Sequence, residues 1–179
     1  MTDRIFRRSL PAAVAALLCV LPQAFAADLT ARQVTEELYR ATDAAPIDCS
    51  KRNLAGLDLA GLRFKKARLA EADLFGADLT GADLSDVDLR AAKLDRIIAI
   101  NARFDRANLA GASLLRPTTT TSFETVRGEA PSFTGADLTG ARLFGIFSGG
   151  SFAGARMAGA SQIIGVDRDG CWAEYIVMP

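Results

Sequence analysis

From Ile47 onward the apolar positions recur every five residues. Read in fives, the chain gives IDCSK, RNLAG, LDLAG, LRFKK, ARLAE, ADLFG, ADLTG, ADLSD, VDLRA, AKLDR, IIAIN, ARFDR, ANLAG and ASLLR, fourteen units ending at Arg116. The third position is Leu or Phe in twelve of them, with Cys49 and Ala99 as exceptions. The first position is Ala in eight, and the second is mostly Asp, Asn, Arg or Lys. Neither the 3.6-residue period of a helix nor the two-residue period of a strand gives this phase. One such unit cannot bury its own apolar face, so successive units must stack around a shared core.

The run of A-(D/N)-L-x-x units closely resembles the pentapeptide-repeat family. The resemblance implies an all-β fold, a right-handed quadrilateral β-helix with four units per coil. In that fold the third and first positions point inward and the other three face solvent. Gly56, Gly61, Gly76, Gly81 and Gly111 all fall at position five, where corners need permissive backbone.

A 20-residue coil places residue n beside residue n + 20. Outward columns then read Asp48–Arg68–Asp88, Asp73–Lys93 and Arg63–Asp83–Arg103, with opposite charges one coil apart. Asp58–Asp78 is the exception. Such exposed pairs are worth about 0–1 kcal/mol each and serve register more than binding. Inside, Ile97 and Ala99 exchange the usual small and large residues, which keeps the interior volume. Arg52 falls at an inward position of the first coil, where the open end lets its guanidinium reach water.

The phase slips twice. After Leu114 the next good centre is Phe123, followed in fives by Gly128, Phe133, Leu138 and Leu143. After Leu143 the next centre is Phe147, then Phe152, Met157 and Gln162. Each slip reads as a side of four residues, and the second brings Asp137 beside Arg156. The solenoid therefore spans 47–164, irregular at 116–131 and 145–148. In the first irregular stretch, Val126 is expected to fill space left by Gly128 in a distorted coil. The functional alternative is a protruding contact surface, with Arg116, Thr118, Thr119, Thr120 and Arg127 as its contact residues.

Both ends read as caps. Thr30-Ala31-Arg32-Gln33 has the form of a capping box, Val34 and Leu38 lie one turn apart, and Glu36 and Arg40 are spaced for an i,i+4 pair. This predicts a short amphipathic helix over 31–42 within an N-terminal cap and linker, 27–46, that covers the first coil. Residues 165–179, with Trp172, Tyr175, Ile176 and Val177, are expected to cover the last.

The segment 1–26 reads as a secretory signal: Arg4, Arg7 and Arg8, an apolar run from Leu10 to Leu21, then Ala24-Phe25-Ala26. The expected location is periplasmic or secreted, with cleavage after Ala26 and no stable membrane insertion afterwards. An uncleaved N-terminal membrane anchor is the alternative. Arg7-Arg8-Ser9-Leu10 partly resembles a twin-arginine signal, but Pro11 follows directly. Leu18 before Cys19 argues against a lipid anchor.

Charge and composition narrow the chemistry. The chain has 21 basic and 21 acidic residues. Cleavage removes Arg4, Arg7, Arg8 and Asp3, leaving a net charge of −2, which provides no long-range steering and no footprint for nucleic acid. There is no histidine, which removes the common triads, His bases and His metal ligands. The acids recur at position two, a regular ladder without the asymmetry that acid–base catalysis needs. Asp167-Arg168-Asp169-Gly170 lacks the further ligands of a calcium loop, and Gly149-Gly150 lacks the Lys of a phosphate loop. No cofactor or metal is expected. Cys49 and Cys171 fall at opposite ends of the solenoid, about 25 Å apart at about 4.8 Å per coil, and are expected to be unpaired.

The sequence thus predicts a non-enzymatic, exported protein-binding or structural scaffold whose partner is another protein. A characterised branch of the family resembles duplex DNA in shape and charge and binds DNA gyrase in the cytoplasm. Against that alternative stand the signal segment, the small net charge, and Arg63, Arg68, Lys93, Arg103 and Arg142 at the usually acidic position.

Overall fold

A computed structural model describes residues 27–42, 44–64, 67–121, 129–145, 147 and 150–160. From residue 48 onward the chain winds as a parallel β-solenoid. Asp48 bridges Arg68, Asn53 bridges Asp73, Asp58 bridges Asp78 and Arg63 bridges Asp83, and the same offset of 20 continues to Ile98 and Thr118. Four five-residue units therefore make one coil.

The unit 72–76 shows why five residues suffice. Ala72 N–H closes a tight turn onto the Leu69 carbonyl (3.0 Å). Asp73 N–H reaches back one coil to the Arg52 carbonyl, while Leu74 and Gly76 N–H reach forward to the Lys93 and Asp95 carbonyls (2.8 to 2.9 Å). Phe75 N–H is left, and the Asp73 carboxylate accepts it at 3.1 Å. All five donors are satisfied, as a dry backbone requires.

Position one and position three side chains fill the interior. Leu59, Phe64, Leu69, Leu74, Leu79, Leu84, Leu89, Leu94, Phe104 and Leu109 are buried, and so are Ile97 and Ala99 with their sizes exchanged. In the described units between 47 and 116, position five turns the corner in the left-handed backbone region. That holds for glycines and equally for Lys51, Ala91, Arg96 and Asn101, whose φ values lie between 53° and 62°. The stacked coils impose this conformation even where the side chain opposes it by about 1 kcal/mol.

The first expected slip is corrected. Unit 117–121 keeps the phase: Pro117 is buried, Thr118 bridges Ile98, and Thr119 is buried. The next bridges are Arg103 to Ser132 and Asn108 to Asp137, an offset of 29. Strands β1 (Ser113–Leu115) and β2 (Arg142–Phe144) pair in parallel with the same offset. The coil is thus lengthened by an insertion instead of losing a residue, and Phe133, not Phe123, stacks on Phe104. Asn101 N–H, which by the regular pattern would meet Thr120, bonds the Glu129 carbonyl at 2.6 Å. Thr121 donates its N–H and hydroxyl to the Glu129 carboxylate (3.0 and 2.9 Å), clasping the base of the insertion. Phe123, Val126, Arg127 and Gly128 lie outside the described residues.

The second slip is a four-residue side. Ser132 bridges Ser151 and Asp137 bridges Arg156, each one residue short of a regular coil. Phe147 is buried there. Gly145 makes the tight passage: a Cβ on it would lie 2.8 Å from Pro117 Cδ.

The N-terminal helix α1 spans Ala31–Arg40. It ends before the expected residue 42 because Ala41 is extended, its N–H bonded to the Glu37 carbonyl. Thr30 and Gln33 form the reciprocal capping box, and Val34 and Leu38 enter the solenoid core. Glu36 bonds Arg32 at 2.8 Å, not Arg40. Before the helix, Asp28 supplies what a preceding coil would: its N–H bonds the Asn53 carbonyl (2.7 Å), and its carboxylate accepts the Asn53 N–H (2.6 Å). The open edge of the first coil is thereby partly closed. Residues 1–26, read above as a signal, and residues 161–179, with Gln162, Ile164, Asp167 to Gly170, Cys171 and the expected C-terminal cap, lie outside the described residues.

Candidate functional site

The outward faces divide into acids with structural duties and a smaller surface without them. At position two, Asp48, Asn53, Asp58, Asp73, Asp78, Asp83, Asp88, Asn108 and Asp137 each accept the backbone N–H two residues on, at 3.0 to 3.3 Å for Asp48, Asn53, Asp58 and Asp88. The acid that the sequence suggested as a charged ladder is first of all a corner cap. At Ser113 and Ser132, which stand at position two, an Asp at position four of the preceding coil takes over. Asp95 accepts Leu115 N–H (2.9 Å) and the Ser113 hydroxyl (2.6 Å). Asp105 accepts Thr134 N–H (3.2 Å), the Ser132 hydroxyl and the Arg103 guanidinium. Sequence reasoning missed both; the signal was Asp at position four in AKLDR and ARFDR.

These contacts shape the acidities. Burial pushes the Asp105 carboxyl up, but the Ser132 hydroxyl, Arg103 and Thr134 N–H outweigh it and hold it below the usual range. The Arg90 guanidinium holds Asp88 low, and the Thr139 hydroxyl does the same for Asp137.

Three of the expected ion pairs form: Arg68–Asp48 (3.8 Å), Lys93–Asp73 (3.3 Å) and Arg156–Asp137 (3.4 Å). Asp88 instead pairs with Arg90 (2.7 Å), two positions on, and Arg103 with Asp105 (3.1 Å). A guanidinium reaches a neighbour along its own strand as readily as one a coil away. Arg106–Asp86 (2.7 Å) is a further pair between coils, at position five.

One face carries a cluster of a different kind. It is built by units 72–76, 92–96, 112–116 and 141–145, stacked in that order. Position four there carries Phe75, Asp95, Leu115 and Phe144; position five carries Arg96 and Arg116; position two of the last unit carries Arg142. Together they line an open groove of about 460 Å³. Phe75 is 47% and Phe144 37% exposed, two of the three large exposed apolar side chains among the described residues; the third is Tyr39 on α1. Arg96 sits over the Phe75 ring (5.9 Å) and Arg116 over the Phe144 ring (6.0 Å). Among the described residues, neither these arginines nor Arg142 meets a carboxylate within ion-pair distance.

The contact residues expected from sequence are spread differently. Arg116 lines this groove. Thr118 is exposed on the next face around the coil, and Thr120 is half-buried beside it. Thr119 is 4% exposed and points inward at a core position. A triple Ala replacement of Thr118, Thr119 and Thr120 therefore alters the core as well as the surface. Arg127 lies outside the described residues.

Cys49 is buried at the base of α1, and burial pushes its thiol up to about 11. Among the described residues no three His, Cys, Asp or Glu side chains gather to hold a metal ion. No described helix is long and apolar enough to cross a membrane.

A parallel solenoid of five-residue units with capped corners defines the class. A family model described as Pentapeptide repeats matches residues 53–90 and 82–114, with 8 copies. Residues 53–114 are a run of pentapeptide repeats. Solved structures similar to it include the pentapeptide repeat protein Rfr23 from the cyanobacterium Cyanothece 51142, 26% identical over 52% of this chain and 58% of that one, with a TM-score of 0.43. QnrB1, a plasmid-mediated fluoroquinolone resistance protein, is 21% identical over 66% and 61%, TM-score 0.41. A pentapeptide repeat protein from the Arabidopsis thaliana thylakoid lumen is 32% identical over 54% and 61%, TM-score 0.24. The chain spans less than two thirds of the length of each. A search of curated proteins finds no match.

Proposed function

We propose that this protein is a non-enzymatic, exported scaffold that binds another protein on an outward face of its solenoid. The observation that carries the reading is the division of labour among the charges. The acids of the repeat cap corners or join ion pairs, while one groove holds exposed aromatics and arginines that meet no carboxylate among the described residues. A contiguous surface left unneutralised on a rigid repeat scaffold suits a partner contact. The right-handed, quadrilateral path implied by the family resemblance belongs to the same reading, and four units per 20-residue coil support its four sides. Export rests on the Arg4 to Ala26 segment.

Fractionation of the native host with N-terminal sequencing, followed by cross-linking and capture in that compartment, tests this. The expected product starts at Ala27 outside the cytoplasm and captures a discrete protein. An uncleaved cytoplasmic chain that protects DNA gyrase from a quinolone would replace this reading with the gyrase-binding one.

A further inference from the structure

We infer that the groove between Phe75 and Phe144 is the binding site for a short acidic segment of a partner protein, one that interleaves carboxylates with apolar side chains. This rests on the scaffold reading above and adds the place and the chemistry.

The charge comes first. Arg96, Arg116 and Arg142 line the groove and have no carboxylate partner among the described residues. Asp95, between them, is half-buried and its Oδ1 accepts both the Ser113 hydroxyl and the Leu115 N–H, which ties one carboxylate oxygen to the scaffold; the three arginines outnumber this single acid. The arginines are also pre-positioned. Arg96 and Arg116 occupy the same corner position in successive coils, whose backbones stack about 4.8 Å apart. Each lies over a ring, which restricts its rotamers, and neither guanidinium has a hydrogen-bond or ion-pair partner among the described residues.

The apolar component is equally local. Phe75 and Phe144 bracket the groove at its two ends, with Leu115 half-buried between them. An extended segment presents alternate side chains to one surface, so carboxylates at every second residue can meet the arginines. The chain ends of such a segment, or bulky apolar residues in it, would cover the rings.

A nucleic acid fits less well. The cationic patch spans three arginines and then stops. Asp73 lies one coil away on the same face, and the neighbouring faces carry Asp48 and Asp88 on one side and Asp58 and Asp78 on the other. A polyanion running past the groove would meet carboxylates. The aromatic faces that bases would stack on are already shared with the chain's own guanidinium groups.

The test uses the purified protein as it accumulates in its host. The probe is a fluorescein-labelled peptide Phe-Ser-Glu-Ser-Glu-Ser-Phe, whose Glu and Phe side chains share one face when extended, followed by anisotropy. Its counterpart with Lys for Glu and a short oligodeoxythymidine are the comparison probes. The acidic peptide should bind, more weakly as salt rises from about 50 to about 300 mM. Combined Arg96→Ala, Arg116→Ala and Arg142→Ala should weaken it by at least about 10-fold with unchanged thermal unfolding. Phe75→Ala should weaken it independently. Arg90→Ala, on another face, should not. Should the triple variant fail to fold, the single reversal Arg96→Glu carries the same expectation.

No binding of the acidic peptide, or equal binding by the arginine variants, overturns the proposal. Tighter binding of the oligonucleotide through the same arginines also overturns it and assigns the groove to nucleic acid. The two levels separate cleanly. A native partner captured equally by wild type and triple variant leaves the scaffold reading standing and rejects this groove. Peptide binding without any native partner keeps the groove and rejects the scaffold reading.

Discussion

The ring of Phe133 lies parallel to that of Phe104, with centroids 5.0 Å apart and planes within 4°, although the whole inserted coil separates them along the chain. On its other side Phe133 stacks on Phe152 at 4.9 Å, across the shortened coil. A lengthened coil and a shortened coil thus meet at one aromatic column, which continues the packing across both irregularities. Phe147 closes it edge-on against both neighbours. Phe133→Ala should therefore cost about 3–5 kcal/mol in urea unfolding, and Phe133→Leu clearly less. A loss below about 1 kcal/mol for the Ala variant would show that the column does not hold the two segments together.

The insertion makes a topological prediction. Excising residues 121–129 joins Thr120 to Ala130 and restores a regular coil, with Asn101 N–H free to meet the Thr120 carbonyl. Such a protein should fold cooperatively with little loss of stability. Excising only 121–128 puts Phe133 one position out of phase and should abolish cooperative unfolding. Similar melting curves for both excisions would contradict the observed register.

Asp78 separates capping from charge. Its carboxylate accepts Thr80 N–H at 2.9 Å, and it stands directly above Asp58 in the like-charged column. Asp78→Asn keeps the acceptor and relieves the repulsion, so its stability should be unchanged or higher. Asp78→Ala leaves Thr80 N–H without that partner and should cost about 1 kcal/mol. Equal effects of the two changes in thermal melts would assign the residue's role to charge instead.

Acid should destabilise the fold through the lowered carboxyls of Asp105, Asp88 and Asp137. A folded-state value below the unfolded one, about 3.9, means stabilisation that is present above that pH and lost as pH falls through the folded value. Unfolding free energy should be flat from about pH 7 to about 5 and decline below about 4. Asp105→Asn should flatten that decline. A decline of the same steepness in the variant would remove Asp105 from the account.

Cys49 should be inert in the native protein. Burial raises its thiol to about 11, so little thiolate exists at neutral pH, and α1 covers it. Alkylation at pH 8 should be slow until denaturant is added. Fast native labelling of Cys49 would mean that α1 leaves the first coil often.

The local chemistry was legible before any coordinates. The spacing of Leu69, Leu74, Leu79 and Leu84 stated which side chains are inside, because the period of five is written into each unit. The capping box of Thr30 and Gln33, the exchange of Ile97 and Ala99, and the Asp137–Arg156 pair followed from the same local reading. Phase alone could not count coils. Phe123 and Phe133 differ by two whole units, so both have the same phase beneath Phe104. Only the three-dimensional stacking chose between them. The groove was out of reach for a related reason: Phe75, Arg96, Arg116 and Phe144 become neighbours through offsets of 20 and 29, and the second offset exists only once the insertion is placed. What each unit buries and how it turns is local to its five residues. Which units stand beside one another is set only in three dimensions, because that depends on how many residues the chain spends between corners and not on their pattern.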